Sequence, residues 1–363
     1  MYTILKSLIF ILLLALAPLT FSASIKVAFI NPAPQGEVFW DIVVSYMQAS
    51  ADDLNIDLKV YYTLPKQRDK NFNNVKKVLE SNDKPNFIIG VFQKKTTLKL
   101  LNLSTKHKIG FYSINTQVPD ELVESSGSPR GKFKYWLGQS IPNDKQAGYL
   151  MATSLIDQVK KSNSSKQPIQ VLAVSGTRDS SASFERNKGL YQALSDHPDV
   201  FLNQVVFTDW SSLSAYKKTK GLLKRYPKTQ IIWAASDSIA IGVSKAIADK
   251  PILTAGIDWS QPGIEAVKQQ KLTSTYGGHF LEGGFALVLL YDYSRKKDFK
   301  QDLGLTNRTP FSKISLRNIN EFKGIYSKEF AEKINFRRFS KIYNPNVKSY
   351  NFSWPEIFRN LEQ

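Results

Sequence analysis

VAFINPAPQGEVFWDIVVSYMQASADDL, residues 27–54, holds two patterns back to back. It begins as a short apolar run of strand type. After a Pro- and Gly-bearing turn, Val38, Ile42, Val43, Tyr46, Met47 and Leu54 recur at helical spacing on one side. A strand feeding a helix through a short loop is the repeating unit of α/β architecture. The same unit recurs on both sides of this stretch. Strand-like runs are expected at Ile25–Ile30, Leu58–Tyr62, Phe87–Val91 and Ile109–Ser113, with helices between them at Asn71–Glu80 and Thr96–Leu103. This alternation predicts a parallel sheet covered by helices on both faces.

The pattern then pauses and restarts. A Gly-, Ser- and Pro-rich region covers 124–131, Tyr135–Gln139 reads as a strand, and 140–144 reads as a crossing segment into a helix near 145–160. A basic, polar loop at 160–168 leads into a second array. Its strands are expected at Ile169–Ser175, Val200–Thr208, Ile231–Ala234 and Ile252–Ile257, and its helices at Ser183–Leu194, Ser212–Tyr226, Ser238–Ala248 and Gly263–Gln270. Leu281–Ser294 is apolar nearly all round, as buried helices are. From Thr309 to Gln363 the chain is less periodic, with a strand expected at Lys313–Ile319 and several aromatics that look exposed. The expected fold class is α/β: two doubly wound parallel-sheet lobes in tandem.

The N-terminus reads as an address. Lys6 precedes an apolar run from Leu8 to Leu19, and small polar residues follow. That is the order of a secretory signal peptide, and the run is shorter than the about 20 residues that span a bilayer. Cleavage is expected after Ser22 or Ala23, with a periplasmic product; the lack of a nearby Cys argues against a lipid anchor. There is no Cys anywhere in the 363 residues, which excludes disulfides and thiolate chemistry. Hydrophobic residues make up 42%, enough for ordinary cores in two domains. The net charge of +18 admits a solvated basic surface, attraction to anionic lipids or envelope polymers, or an anionic ligand. Nucleic acid is not expected as a partner of an exported chain.

Catalytic signals are poor. No H-E-x-x-H, nucleophile elbow or Walker loop occurs, and the first strand runs into Asn31-Pro32 where a dinucleotide fold has its Gly-rich turn. His107, His197 and His279 are not spaced as ligands on one element, so neither a metal nor a cofactor is expected. The loops after the strands, where open α/β sheets bind ligands, gather a different chemistry. They carry Glu37, Phe39, Trp40, Asn115, Phe184, Trp210, Ser236, Asp258 and His279. Aromatic faces stack on the C–H faces of sugars, and Asp and Asn fix hydroxyls.

Four stretches, in this order and spacing, carry a family resemblance: residues 27–54 above, VLAVSGTRDSSASFERNKGL (171–190), IIWAASDSIAIGVSKAI (231–247) and AGIDWSQPGIEAVKQQKL (255–272). The chain resembles the type I periplasmic binding proteins, close to the ribose, galactose and autoinducer-2 binders, from about Ile25 to Ile319. The resemblance implies two lobes joined by three crossing segments, with a solute held between them. It assigns a leader to 1–23, a first lobe to 24–139 plus 279–310, a second lobe to 140–278, and an extension to 311–363 that crosses or packs on the lobes. The crossings are expected near Gln139-Ser140, Ile257-Asp258 and Gly278-His279.

In such proteins an aromatic pair sandwiches the sugar, and Phe39 and Trp40 match it. Asn115 lies where the family has Asp or Asn, Asp258 matches the carboxylate after G-[FIV]-D, and Trp210 sits near the second-lobe aromatic. Arg186 matches an Arg that is usually structural. Glu37 stands where Asn is common, Phe184 or Ser183 where ribose binders have Arg, and Ser236 where Asn precedes Asp237. The polar contacts are therefore rearranged. The implied role is capture of a small polar, sugar-like solute or polyol and its presentation to an ABC transporter, with no catalytic residue. The alternative output is sensing through a membrane histidine kinase, cyclase or chemoreceptor. A remote alternative is an envelope hydrolase using His279, Asp258 and a serine; a transcription repressor sharing the two-lobed core is disfavoured by the leader.

Overall fold

The computed structural model describes residues 24–64, 71–93, 95–162, 168–248 and 250–362. The leader expected over 1–23 lies outside them. Strands β1 (Lys26–Asn31), β2 (Asp57–Tyr62), β3 (Phe87–Gly90), β4 (Gly110–Ile114) and β5 (Trp136–Pro142) alternate with helices α1 (Val38–Leu54), α2 (Asn71–Glu80) and α3 (Thr97–His107). After β5 the chain enters α4 (Asp144–Ser162) and a second array follows. It comprises β6 (Ile169–Ser175), α5 (Ser181–Ser195), β7 (Val200–Phe207), α6 (Ser212–Arg225), β8 (Ile231–Ala234), α7 (Asp237–Ile247), β9 (Leu253–Ile257), α8 (Gln261–Lys268) and β10 (Thr275–Gly277). Then come α9 (Glu282–Ser294), β11 (Thr306–Thr309), β12 (Ser312–Ile314) and, near the end, α10 (Trp354–Leu361).

The strands form two six-stranded sheets, ordered β2-β1-β3-β4-β5-β11 and β7-β6-β8-β9-β10-β12. One order thus occurs twice. All pairs in the first sheet are parallel, and in the second only β10–β12 is antiparallel. The central strands β3, β4, β5 and β8 are buried at every residue, as strands covered on both faces must be. The α/β class with two doubly wound lobes is the observed one.

Three links pass between the sheets: β5 into α4, β10 into α9 through a turn at His279–Leu281, and β11 into β12. The crossing expected at Ile257-Asp258 is not one of them. Strand β9 lies inside the second sheet between β8 and β10, and the third link is the short run from Thr309 to Ser312. It was missed because a three-residue strand leaves almost no period-2 signal. The strand expected over 313–319 is accordingly only Ser312–Ile314.

The aromatics beyond 319, which look exposed in the sequence, are core residues. Phe322, Phe336, Phe339, Tyr350 and Trp354 are all buried. Phe336, Phe339 and Phe352 surround Phe285 of α9, while Ser340 and Tyr350 hydrogen-bond the carboxylate of Asp292. Phe322 and Trp354 reach the other sheet and pack on Trp259, at centroid distances of 4.7 and 5.3 Å. The C-terminal segment therefore backs the first lobe and the second crossing together.

Candidate functional site

The C-terminal ends of both sheets face each other, and their loops meet. An exposed ion pair, Lys188 Nζ to Asp120 at 2.7 Å, joins α5 of one lobe to the turn after β4 of the other.

Arg186 is the centre of the arrangement. Its helix α5 lies against α4 at very close range. A Cβ at Gly148 would stand 2.0 Å from the Arg186 carbonyl oxygen, and one at Gly189 would stand 2.0 Å from that of Lys145. Only two glycines facing each other allow this crossing, and it sets where the guanidinium lies. The group is buried. Nε donates to Asp144 Oδ1 at 2.7 Å, and Nη1 donates to the Ala235 carbonyl at 2.7 Å and to Asp258 Oδ1 at 3.4 Å. The rings of Trp210 and Phe311 lie 5.9 and 5.7 Å from it.

Asp258 ends β9 with φ of +135°, a region that L residues rarely occupy. Behind it the buried Asp237 accepts from the backbone N–H and hydroxyl of Ser260 and from the Thr275 hydroxyl, at 2.6–2.9 Å. That bracing, with Trp259 fully buried beside it, holds the strained conformation. Burial raises the Asp258 carboxyl well above the usual range, Arg186 opposes the rise, and Asp237 and Glu37 add to it. Burial likewise lifts Asp144 and Asp237 to about 6.

His279, on the second crossing, is 1% exposed and stands between two rings, Phe39 at 4.7 Å and Phe311 at 4.6 Å. Its Nε2 is 3.8 Å from Asp258 Oδ1, too far for a hydrogen bond. Neither ring nitrogen has a hydrogen-bond partner among the described residues. Burial, then Arg186, holds its pKa well below the ordinary value, so the imidazole is neutral.

The other expected residues divide into two groups. Phe39 reaches His279, Asn115 ends β4 with φ of +64°, and Trp210 lies over Gly176, where a Cβ would be 2.1 Å from the indole. Glu37 caps α1 by accepting from the Trp40 N–H at 3.0 Å, and it is close enough to raise Asp258. Trp40 turns into the first lobe instead, 8% exposed, against Phe29 at 6.0 Å. Ser236 caps α7, its hydroxyl accepting from the Ile239 N–H. Phe184 is 45% exposed, while its neighbour Ser183 is buried and bonds Ser175.

Asp144, Glu282 and Phe311 were not singled out from the sequence. Glu282 accepts from the Asn115 N–H at 2.8 Å and faces the Thr309 hydroxyl, so it ties the second and third crossings to the end of β4. The legible signal for Asp144 and Glu282 was an acidic residue opening a helix straight after a crossing. Burial raises Glu282 to about 8, against the bonds from Thr309 and Asn115. Its ordinary value is 4.5, so folding favours the protonated acid. That stability is full below about 4.5 and is lost as pH rises through about 8. Glu282→Gln is expected to raise the melting temperature at pH 8 and to flatten this decline. A pH profile identical to that of the wild type would contradict the assignment.

Among the described residues no cluster of His, Asp and Glu could hold a metal, and no helix is long and apolar enough to cross a membrane. A cavity of about 300 Å3 lies among Arg338, Asn344, Lys348 and Arg359 in the C-terminal segment, where no strand end contributes.

The family model described as a periplasmic binding protein domain matches residues 137–298. A ribose import binding protein from Haemophilus influenzae is 32% identical over 149 residues, covering 40% of this chain and 49% of that protein. One from Escherichia coli is 27% identical over 139 residues, covering 37% and 45%. The chain thus spans about half the length of the curated relatives it matches. The crystal structure of a periplasmic sugar-binding protein from Pseudomonas fluorescens is 28% identical, with a TM-score of 0.82 over 92% of this chain and 99% of that one. An ABC transporter periplasmic solute-binding protein from Actinobacillus succinogenes, with bound D-allose, shares the fold at 18% identity, with a TM-score of 0.68 over 82% and 100%. These relatives are solute-binding proteins and not enzymes.

Proposed function

Since the chain belongs to the type I periplasmic binding protein family, we propose that it captures a small, polar, sugar-like solute or polyol between its lobes in the periplasm and hands it, unaltered, to an ABC transporter. The observation that carries this reading is the convergence of Asp258, Arg186 and neutral His279 with the rings of Phe39 and Trp210 at facing strand ends. A polyol presents hydroxyls that both donate and accept. The Asp258 carboxyl and the two unpartnered His279 nitrogens offer matching polar atoms, and the rings offer flat apolar faces to C–H groups.

On this reading Phe39, Asn115, Trp210, Asp258, His279 and Glu37 touch the ligand. Trp40, Ser236 and Phe184 shape the elements that carry them. The three links between the sheets act as the hinge.

The test is a thermal-shift panel of pentoses, hexoses, amino sugars and polyols. A ligand that binds only the folded chain stabilises it by about 2.7 kcal/mol at a hundredfold excess over its dissociation constant. At least one member should raise the melting temperature, and the same compound at the same concentration should raise that of Asp258→Gly clearly less. If no polyhydroxylated compound does so while amino acids or peptides do, the solute class is wrong.

A further inference from the structure

The positive charge is not spread evenly. Between Trp210 and Ser236 the chain has Lys217, Lys218, Lys220, Lys224, Arg225 and Lys228, and no Asp or Glu. All six side chains are exposed. Most of this segment is helix α6. With 3.6 residues per turn, Leu213, Lys217, Lys220 and Lys224 fall within about 60° of one another around the axis. Ala215 and Leu222, which are buried, lie on the opposite side. The result is a straight stripe of three ammonium groups facing outward, flanked by Lys218 and Arg225. At its N-terminal end stand two exposed apolar side chains, Leu213 at 62% and Tyr216 at 36% exposure.

Several lysines elsewhere on the surface have carboxylate partners: Lys26 with Asp83, Lys160 with Asp199, Lys188 with Asp120 and Glu185, and Lys328 with Glu332. Among the described residues none of the six meets a carboxylate. Lys218 donates to the Phe207 carbonyl and Arg225 to the Gln204 side chain. Six unneutralised cations on one helix and its end repel one another, an arrangement that favours an external anion array.

We propose that this face of α6 rests on the anionic headgroups of a membrane surface. Lys217, Lys220 and Lys224 lie against lipid phosphates, and Leu213 and Tyr216 sit among the headgroups. The occupant follows from shape and charge together. From Leu213 to Lys224 this face is about 17 Å long and nearly straight, so it suits a flat anionic plane. The apolar end matches the amphipathic helices that lie in the bilayer interface.

The experiment is co-sedimentation of the full chain with vesicles of phosphatidylcholine, with or without phosphatidylglycerol. Two variants with the same N-terminus are compared. Lys217→Gln/Lys220→Gln/Lys224→Gln removes the stripe. Lys84→Gln/Lys99→Gln/Lys106→Gln removes the same charge from exposed positions on the first lobe. Each basic residue near an anionic surface contributes about fivefold in affinity. The stripe variant should therefore bind phosphatidylglycerol vesicles about 100-fold more weakly, with its melting temperature unchanged, while the first-lobe variant keeps most of its binding. Added salt should release the wild type, because exposed charges are screened. The proposal is overturned if phosphatidylglycerol confers no binding, if the stripe variant binds like the wild type, or if the two variants lose affinity equally.

Discussion

Arg186→Ala is expected to destabilise the protein by about 3–5 kcal/mol at pH 8, the usual cost of removing one partner from a buried ion pair. The guanidinium is shared. It takes the carboxylate of Asp144 at the head of α4, that of Asp258 at the end of β9, and the carbonyl of Ala235 at the end of β8. Without it, two carboxylates remain buried with their ion pair gone, Asp144 keeping only the weaker pull of Arg308, and their pKa values, already raised by burial, rise further. The sign of the pH dependence follows. A carboxyl whose folded pKa is raised supports the fold below its unfolded pKa and loses that support as pH rises through the folded value. The deficit of the variant should therefore be small near pH 4 and large at pH 8. Urea unfolding at the two pH values measures it. Equal deficits at both, or none, would show that Arg186 does not neutralise the pair.

Asp258→Gly should have the opposite profile. Glycine adopts a φ of +135° without the strain that a side chain brings there, a cost of order 1–3 kcal/mol. The substitution also removes a buried carboxyl and leaves Arg186 its 2.7 Å bond to Asp144. The variant should melt at or above the wild-type temperature. Its affinity for the ligand should fall roughly 10- to 100-fold, the scale of one lost charge-assisted hydrogen bond. Stability and binding move in opposite directions if Asp258 is held in strain for the sake of the ligand. A destabilised variant with unchanged affinity would assign Asp258 to structure alone.

How much of this was legible depended on the range of the interactions. The two arrays were readable because every strand–loop–helix unit carries its own local period, as in residues 27–54. The strand-end loops were readable for the same reason, and they brought Phe39, Asn115, Trp210, Asp258 and His279 into view. The cap made by Ser236 has a local signal too, a Ser opening an apolar helix, but it competes with any ligand role in the same residue. The rest is non-local. Asp144 and Arg186 are 42 residues apart, and Asn115 and Glu282 are 167 apart; nothing near either partner announces the other. Phe311 sits in a link two residues long between β11 and β12. The C-terminal aromatics have no period because they are buried by turns and short helices, each contributing one or two rings to the cluster around Phe285 and Trp259.

The proposed function requires closure of two lobes around an unaltered solute. The direct measurement is small-angle scattering of the protein with and without the strongest ligand from the panel, followed by recovery and mass analysis of that ligand. Three thin links bend far more readily than packed lobes, so the radius of gyration should fall on binding, and the recovered compound should have its original mass. A chemically altered ligand, or binding with no change in the radius of gyration, would contradict it.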